Sequence, residues 1–489
     1  MLRHVPYKWL VATAFVFGLF MEILDMTVLN TALPALGERF DAGTEALQWL
    51  VTGYLVSMAV FIPASGWVSD RFGSKRTFVF ALAVFTTASA WAGFAGSLGE
   101  LITARVVQGV GGGLLTPVGT AMLFRAFPPA ERAQASAVLS IPTSIAPAFG
   151  PVLGGWMVDT LSWRWIFFLK VPIGVLALIF TVAVIREERA AHPGRFDLGG
   201  FLTGGSALAF LLVGLDRGAR DGWATPGVLA PLGAGLALAA AFVVAELRSA
   251  EPMIDLRLLR SRLFRTGNLL MLPTSGALMG ALFLVPLLLQ QQMGIDATGS
   301  GLVTMFQALG MAALMPVAGH LYSRLGPRRM LATGFVITAA SLAALLAVNP
   351  GTTLWAVRAP LFTLGAGMAL TVIPLQTATF AGVSTAATAR ASSLFSTTRQ
   401  VAGAAGVAGV VTLLTERTET RLVDIGARAA DAASRSEAIF AAYHDVFLFT
   451  TALAVLGLLV ALRVRDADAA ASLRPTPTAA TEDARVTTA

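Results

Sequence analysis

The chain has 489 residues, of which 56% are hydrophobic and only 13% carry a charged side chain, against roughly 25% charged residues in soluble domains, so most of it is expected to lie in lipid. It contains no cysteine, which excludes disulfides and thiolate chemistry, and its four histidines are too scattered to predict a metal site. The net charge of +7 is accounted for by basic loops between membrane spans, so nucleic-acid binding is not expected.

Apolar segments long enough to cross a bilayer recur fourteen times along the chain. They cover residues 10–34, 47–68, 77–96, 100–124, 134–157, 165–185, 199–215, 224–246, 266–290, 299–322, 330–348, 355–380, 393–415 and 445–463. An even number of spans puts both termini on one side, and a cytoplasmic N-terminus leaves most of the 35 lysines and arginines on inner loops and tails. The nine tryptophans fall near predicted span ends, where indole rings prefer the headgroup region. We therefore expect an all-α polytopic membrane protein with fourteen transmembrane helices and both termini cytoplasmic.

The first span contains two carboxylates, Glu22 and Asp25, which lie three residues apart and therefore on one helical face. Ionisable groups inside a span are costly to bury and mark ion or proton pathways. Arg105 lies about one turn inside the outer end of the fourth span, at a depth that its long side chain can share with Asp25, and Gln108 follows one turn later. The alternatives are acids satisfied by neighbouring helices for packing alone, and an ion pair that only holds helices together.

An internal repeat is visible in the loops. GWVSDRFGSKR at residues 66–76 is echoed by GHLYSRLGPRR at 319–329, and ERAQASAVLS at 131–140 by ATARASSLFS at 387–396, at a similar offset. The repeat relates spans one to six with spans nine to fourteen, and duplicated halves suit a transporter that rocks around a site at their interface. The expected domains are an N-terminal half (1–198), an inserted helix pair (199–246), a C-terminal half (247–465) and a disordered cytoplasmic tail (466–489). The outer segment 416–443 could form a surface helix.

The first of these loops has the composition of a conformational latch. Its glycines allow a tight turn, while Asp70 and Arg71 can make charge-assisted bonds to helix ends or to each other across the interface between the halves. The alternative is that the basic residues of the loop only fix the topology. The predicted latch consists of Gly66, Asp70, Arg71, Gly73 and Arg76.

A strip of small residues runs along the fifth span, where Ala146, Gly150 and Gly154 recur every four residues. Such a strip lets another helix approach closely. The GP-x-x-GG pattern is formed by Gly150, Pro151, Gly154 and Gly155. Taken alone, the strip is also compatible with a generic helix contact.

Four ordered motifs resemble the signatures of the major facilitator superfamily: LDMTVLNTALP (24–34), GWVSDRFGSKR (66–76), RVVQGVGGG (105–113) and APAFGPVLGGW (146–156). The branch that the chain resembles is the fourteen-span drug:proton antiporters of the multidrug or quaternary-ammonium exporter type, and residues 163–174, 215–218 and 252–264 are also similar to it. The resemblance implies this superfamily's fold and protons as the coupling ion, with no other cofactor. It also implies a role in proton transfer for Arg105, and its GP-x-x-GG form is associated with exporters rather than importers.

Two positions depart from this resemblance. Lys170 stands where the family commonly has a small amide, and many relatives have no acid at the place of Glu22. An acid and a base gained together can form a pair, but we favour a Glu22 that faces the cavity largely unpaired, because Lys170 begins near the outer end of its span and can snorkel to water. Spans nine to fourteen carry Arg399 and no acid in their interiors, so the proton carrier is expected in the first half.

The sequence contains neither a phosphate-binding loop nor a nucleophile–base constellation, so ATP hydrolysis and enzymatic activity are not expected. We expect a monomeric cytoplasmic-membrane exporter that exchanges protons, carried by Asp25 with Glu22 and Arg105, for hydrophobic, cationic or amphipathic compounds. The predicted cavity residues are Met26, Gln108, Met271, Met279, Phe283, Met368 and Gln376. Alternatives are export of lipids or secondary metabolites, or a non-transporting scaffold or sensor, which has no reason to bury two acids. The expected partners are a small substrate and membrane lipids, and the need for a periplasmic adaptor is left open.

Overall fold

The computed structural model describes residues 5–190, 194–249, 251–426 and 431–473, apart from the side chains of 44–45, 138–145, 147–148, 151–152, 279, 297 and 471. These residues form helices joined by short connections, with no β-strand among them. The helices of the first six predicted spans are α1 (Tyr7–Phe40), α2 (Thr44–Phe61), α3 (Ser65–Phe72), α4 (Ser74–Phe94), α5 (Leu98–Ala126), α6 (Arg132–Thr160), α7 (Trp165–Phe168) and α8 (Lys170–Val184). The remaining helices are α9 (Leu198–Asp221), α10 (Pro226–Arg248), α11 (Arg262–Leu287), α12 (Ala297–Ala344), α13 (Leu354–Thr379), α14 (Thr388–Ile425), α15 (Ala432–Ala461) and α16 (Ala470–Leu473).

Many of these helices are long enough to cross a membrane. In the described residues ten pass on length and apolar composition, or eleven when α2 and α3 are taken as one span bent by 55°. The 48-residue α12 breaks at Gly326, whose φ of 77° is not helical, so it is two helices joined end to end. Starting from the eleven, counting the two parts of α12 separately and adding the long helices α6 and α14 gives fourteen. The exact count of fourteen spans stays a prediction.

Several helices begin at a residue whose side chain caps the first turn. At the start of α5, Ser97 accepts a hydrogen bond from the Glu100 amide, and the Glu100 carboxylate accepts one from the Gly96 amide in return. Asp197 caps α9 and Asp296 caps α12 in the same way. Because these bonds satisfy backbone N–H groups that lack a helical partner, they fix where each helix starts.

The first six and the last six predicted spans meet at the end of the molecule that carries the loop at residues 66–76, which we call the loop end. Ser392 donates to the carbonyl of Pro117 at 2.7 Å, and Ser393 donates to the carbonyl of Ile62 at 2.7 Å. An aromatic cluster lies at the same junction, with the rings of Phe124 and Phe380 4.8 Å apart. Contacts between the two sets of helices therefore close the loop end.

The inserted helices contact both sets of spans through α9. Leu208 and Leu212 pack in one apolar cluster with Ala59 of α2, and Val401 of α14 lies against that cluster. At the far end, Trp223 donates to the hydroxyl of Thr412 at 2.9 Å. Thus α9 covers the side of the molecule where α2 and α14 come together.

The start of the predicted tail differs from the expectation. The segment Asp466–Ala469 forms a 3₁₀ turn that leads into α16, so the predicted disorder does not hold for residues 466–473. The Asp466 carboxylate accepts a hydrogen bond from the Arg328 amide, and the hydroxyls of Tyr322 and Ser472 are bonded at 2.8 Å. The rest of the predicted tail, 474–489, lies outside the described residues.

In the outer segment 416–443, the described residues belong mainly to the end of α14, which runs to Ile425, and to the start of α15 at Ala432, rather than to a separate surface helix. Arg421 of α14 and Asp445 of α15 hold these extensions together through two bonds of 2.8 and 3.0 Å.

Candidate functional site

Asp25 lies at the centre of a fully buried polar cluster and has 0% of its surface exposed. Its Oδ2 accepts a hydrogen bond from Nη1 of Arg105 at 2.5 Å. Its Oδ1 accepts from Nε2 of Gln108 at 3.0 Å and also from Nζ of Lys170. A buried carboxylate needs such donors because removing a charge from water costs several kcal/mol. The predicted meeting of Asp25 with Arg105 is confirmed, and Lys170 joins it.

Arg105 is held by its own set of contacts on α5 and α2. Its Nε donates to the carbonyl of Leu50 at 3.0 Å, and its Nη1 also donates to Gln108 Oε1 at 2.8 Å. The guanidinium stacks 4.4 Å from the centre of the Tyr54 ring. A side chain at Gly109 would meet the Tyr54 carbonyl at 2.5 Å, so glycine there is needed for the close approach of α5 to α2. The glycines that follow Arg105 in the sequence thus serve to place it.

Lys170 does not behave as predicted from its position near a span end. It is the first residue of α8 and is only 2% exposed. Its ammonium binds Asp25 and lies 4.8 Å from the centre of the Phe167 ring. The expectation that it snorkels to water is wrong, because the side chain lies in the interior, where the Asp25 carboxylate of α1 is within reach. The alternative pairing of Lys170 with Glu22 is not formed, because Lys170 binds Asp25 and Glu22 binds Thr116.

Glu22 lies on the same face of α1 as Asp25, one turn nearer the loop end, and is 7% exposed. Its Oε2 accepts a hydrogen bond from the Thr116 hydroxyl at 2.7 Å. No ion pair to Glu22 is formed within the described part of the chain, although Arg399 is close enough to interact with it electrostatically. The arrangement agrees with the favoured prediction of an acid without a basic partner in direct contact.

The predicted cavity residues do not form one surface in this conformation. Gln108 is fully buried and donates a hydrogen bond to Asp25. Met271 and Met368 are 6% and 1% exposed and lie in the hydrophobic core. Met26, Phe283 and Gln376 retain exposed surface, and the Met279 side chain lies outside the described residues. Methionine suits core packing as well as ligand contact, so its presence in a span does not identify a cavity. Of the six residues whose side chains are described, these three can contact a ligand here.

The latch residues make their bonds within the first six spans. The Asp70 carboxylate accepts a hydrogen bond from Nη2 of Arg125 at 3.1 Å, and Nη1 of Arg125 donates to Ser74 at 2.9 Å. Arg71 is exposed and has no ion pair among the residues described. Among the described residues, Asp70 and Arg71 therefore make no hydrogen bond across the interface: the Asp70 carboxylate is bound by Arg125 of α5, and Arg390 of α14 interacts with it only electrostatically.

Two other latch residues have different contacts: Gly66 lies at the interface between the two sets of spans, and Gly73 lies at a turn next to Glu187, which follows α8. A side chain on Gly66 would meet the Ala389 carbonyl at 3.2 Å, so this glycine lets α3 touch α14. Gly73 has a φ of 100°, a conformation suited to glycine, at the turn between α3 and α4. The amides of Lys75 and Arg76 then donate to the carboxylate of Glu187 at 3.1 and 3.3 Å.

The small-residue strip of α6 packs against α1 next to the buried cluster. A side chain on Gly150 would overlap the hydroxyl of Thr27, and one on Gly154 would overlap that of Thr31. Gly155 has open space around its Cα, and the Pro151 side chain lies outside the described residues. The predicted close helix approach is confirmed for Gly150 and Gly154, which meet α1 two and six residues beyond Asp25.

Sequence reasoning missed several residues at these sites, among them Arg125, Thr116 and Arg132. Arg132 is 5% exposed and donates to the carbonyls of Phe380 at 2.7 Å and Phe124 at 3.0 Å, which ties the two sets of spans together. Its only signal in the sequence is the repeat that aligns it with Arg390. In the described ranges, no group of three or more His, Cys, Asp or Glu side chains is arranged to hold a metal ion.

Comparisons with known proteins agree with this architecture. The sequence model of the Major Facilitator Superfamily matches residues 15–407. The chain is 36% identical over 387 residues to a multidrug resistance protein B homolog of Mycobacterium tuberculosis, covering 78% of this chain and 72% of that protein. It is 33% identical over 387 residues to the multidrug export protein EmrB of Escherichia coli K12, covering 78% and 76%. The human organic anion transporter MFSD10 has the same fold, with a TM-score of 0.64 over 92% of this chain and 100% of that one at 17% identity. On these grounds the chain is a multi-pass membrane transporter, not an enzyme, and belongs to the Major Facilitator Superfamily.

Proposed function

We propose that the protein is a proton-coupled exporter of hydrophobic, amphipathic compounds that works by alternating access. The observation that carries this proposal is the buried Asp25, bonded to Arg105, Lys170 and Gln108 inside the first span. An acid at this depth is costly unless it has a role in transport. The similarity to the multidrug export protein EmrB supports the same direction of transport.

In the proposed cycle, Asp25 exchanges a proton with the cavity. An ionised Asp25 binds both bases, and a protonated Asp25 attracts them far less, because the attraction between full charges in a low-dielectric interior is lost. Protonation therefore changes the packing of α5 and α8 against α1, which these bonds hold together. A ligand or proton shifts a conformational equilibrium only when it binds two states differently, and this cluster offers such a difference.

We propose that the halves 1–198 and 247–465 rock against each other, with the inserted pair 199–246 alongside them. The loop end is proposed to face the cytoplasm together with both termini, as the distribution of basic residues favours. The conformation described is then the outward-facing one, because the contacts between Ser392 and Pro117 and between Arg132 and Phe380 close the loop end.

The proposed cycle needs one chain, a small amphipathic substrate, protons and the surrounding lipids. It assigns no step to a metal, an organic cofactor or an adaptor. Asp25 is the proton carrier, with Arg105 and Glu22 as further participants, and Asp70 with Arg125 stabilises the closed loop end.

The test is transport by purified protein in liposomes with an imposed pH gradient, acidic on the outer side. We expect uphill movement of a hydrophobic dye that collapses with the gradient and is absent in Asp25→Asn, while exchange of dye without a gradient survives. The matched control is Asp216→Asn, which removes an acid near the end of α9 whose contacts are with Thr52 and Arg220. Uphill pumping by Asp25→Asn at the wild-type rate would place the carrier elsewhere, and gradient-independent behaviour of the wild type would support a scaffold.

A further inference from the structure

Arg399 is a charged residue inside a span for which the proposed cycle has no role. It lies in the first half of α14, within the predicted thirteenth span, and its side chain is exposed. Among the described residues it forms no hydrogen bond or ion pair, unlike the buried Arg105 and Arg132. A guanidinium has five N–H donors, so an exposed one at this depth in a span has donors free for a ligand.

The periodicity of α14 shows which surface Arg399 occupies. Ser392 donates to the Pro117 carbonyl on α5, and Arg399 follows seven residues later, two helical turns along the same face. Gly406, a further seven residues along the same face, lies against Gly276 of α11, where an added Cβ would be 2.9 Å from the Gly276 Cα. Val401 points away from both and packs with the cluster on α9. Arg399 therefore faces the space between α5 and α11, not lipid.

The same space contains Glu22 on the opposite side. The residue that binds Glu22, Thr116, is the chain neighbour of Pro117, which binds the face of α14 that carries Arg399. Glu22 and Arg399 are electrostatic neighbours, yet they are not within the 4 Å of an ion pair. The two side chains thus belong to different sets of spans and flank a gap between them.

The charges around this gap favour an anion. Asp25 is already bound by two bases, Arg105 and Lys170, and Glu22 is bonded to Thr116. With both acids ionised, three bases stand against two acids, and protonation of Asp25 increases the imbalance. A positive cavity with low-dielectric walls concentrates anions and repels cations.

We propose that Arg399 is a binding residue for an acidic group on the transported compound, such as a carboxylate, sulfonate or phenolate on an apolar aromatic frame. The proposal rests on the exporter function proposed above and names its substrate class. It departs from the expectation of cationic substrates, which followed from the resemblance to multidrug and quaternary-ammonium exporters and from the acid at Glu22. The rival role for Arg399 is a salt bridge to Glu22 that forms as the halves rock, in which case loss of Arg399 harms every substrate alike.

Binding to detergent-purified protein tests the charge preference without requiring transport. Two probes share one frame: N-phenyl-1-naphthylamine is neutral, and 1-anilinonaphthalene-8-sulfonate adds one anionic group. Ethidium serves as the cation. We expect the wild type to bind the sulfonate more tightly than the neutral dye, and ethidium most weakly. The reverse order in the wild type overturns the proposal whatever the variants do.

Variants of Arg399 test whether this residue causes the preference for the anionic dye. Arg399→Gln is expected to weaken binding of the sulfonate by about tenfold, the usual scale for a lost charge-assisted hydrogen bond, and to leave the neutral dye unchanged. Arg399→Lys should keep most of the affinity for the sulfonate, and it also serves if Arg399→Gln fails to fold. The control is Arg217→Gln, an exposed arginine of α9 that lies beside a surface groove of the inserted pair.

An equal loss for all three probes in Arg399→Gln points to the salt-bridge role, and no change in any of them removes Arg399 from the site. Either result overturns the proposal. Failure of the exporter function is distinguishable, because it appears as absent gradient-driven transport in liposomes while the binding order in detergent remains.

Discussion

Lys170 and Asp25 form a direct bond in the interior of the protein, although they are 145 residues apart in the chain. Arg105 binds the other oxygen of the same carboxylate, so one acid supports two buried bases. Removing an acid from such a cluster strands charges in a low-dielectric interior, which costs about 3–5 kcal/mol. Asp25 is therefore needed for stability as well as for the proposed proton exchange.

The first prediction separates these two roles. Asp25→Asn alone should lower the thermal unfolding midpoint, because Lys170 and Arg105 lose their counter-charge. Asp25→Asn combined with Lys170→Met should recover much of that loss, since it removes one stranded base, yet it should remain unable to pump. Unfolding midpoints of the two variants in detergent check this. An equal midpoint for the single and double variants would contradict the pairing.

The second prediction concerns Glu22. Because its direct bond is to Thr116 and no basic side chain of the described structure contacts it, Glu22→Gln should keep the fold. It should impair efflux of a cationic dye and spare a neutral one, since only the negative charge beside Arg399 is lost. Efflux of both dyes and the unfolding midpoint are measured together. Equal losses for the two dyes with a lowered midpoint refute a role in charge selection.

The third prediction uses Gly66 as a probe of the closed loop end. An added methyl group would lie 3.2 Å from the Ala389 carbonyl, so Gly66→Ala should push α3 away from α14 and reduce the population of the closed junction. A cysteine introduced in place of the partly exposed Met26 in this cysteine-free chain reports that population. Its labelling from outside by a membrane-impermeant reagent should fall.

The matched control for Gly66 is Gly155→Ala, where nothing lies within 4 Å of the added carbon. Alanine is favourable in a helix, so this change should leave labelling as in the wild type. A similar fall in both variants would show that the effect does not come from the junction.

The fourth prediction concerns Asp70 and its neighbour in sequence. Asp70→Asn leaves the guanidinium of Arg125, bonded to Asp70 at 3.1 Å, without its acid at the end of α5. It should slow transport and reduce outside labelling of the Met26 position without abolishing substrate binding. Arg71→Gln, at an exposed side chain, should change neither. Equal effects of the two substitutions would mean that the loop acts only through its overall charge.

The sequence predicted the parts of the site that depend on depth within a span. Asp25 and Arg105 were expected to meet because both lie at a similar depth and each needs an opposite charge, and they do. Depth alone does not predict the environment of Lys170, because its side chain points to Asp25 of α1 rather than to the nearby end of its span, and that direction depends on how α8 packs against α1.

Contacts that depend on tertiary packing could not be predicted from the sequence either. Asp70 meets Arg125 at a separation of 55 residues, and several arginines in the chain were equally plausible partners. At the folded start of the tail, the Asp466 carboxylate accepts a hydrogen bond from the backbone N–H of Arg328, just after the turn at Gly326. Such a bond becomes visible only when the turn and the tail are seen together.

Substrate-induced proton release by purified protein measures the central claim most directly. The protein is placed in weakly buffered solution with a pH indicator, and a dye that the wild type transports is added. The wild type should release protons in proportion to the dye bound, and Asp25→Asn combined with Lys170→Met should bind the dye without releasing any. Equal proton release by that double variant and the wild type would contradict proton exchange at Asp25.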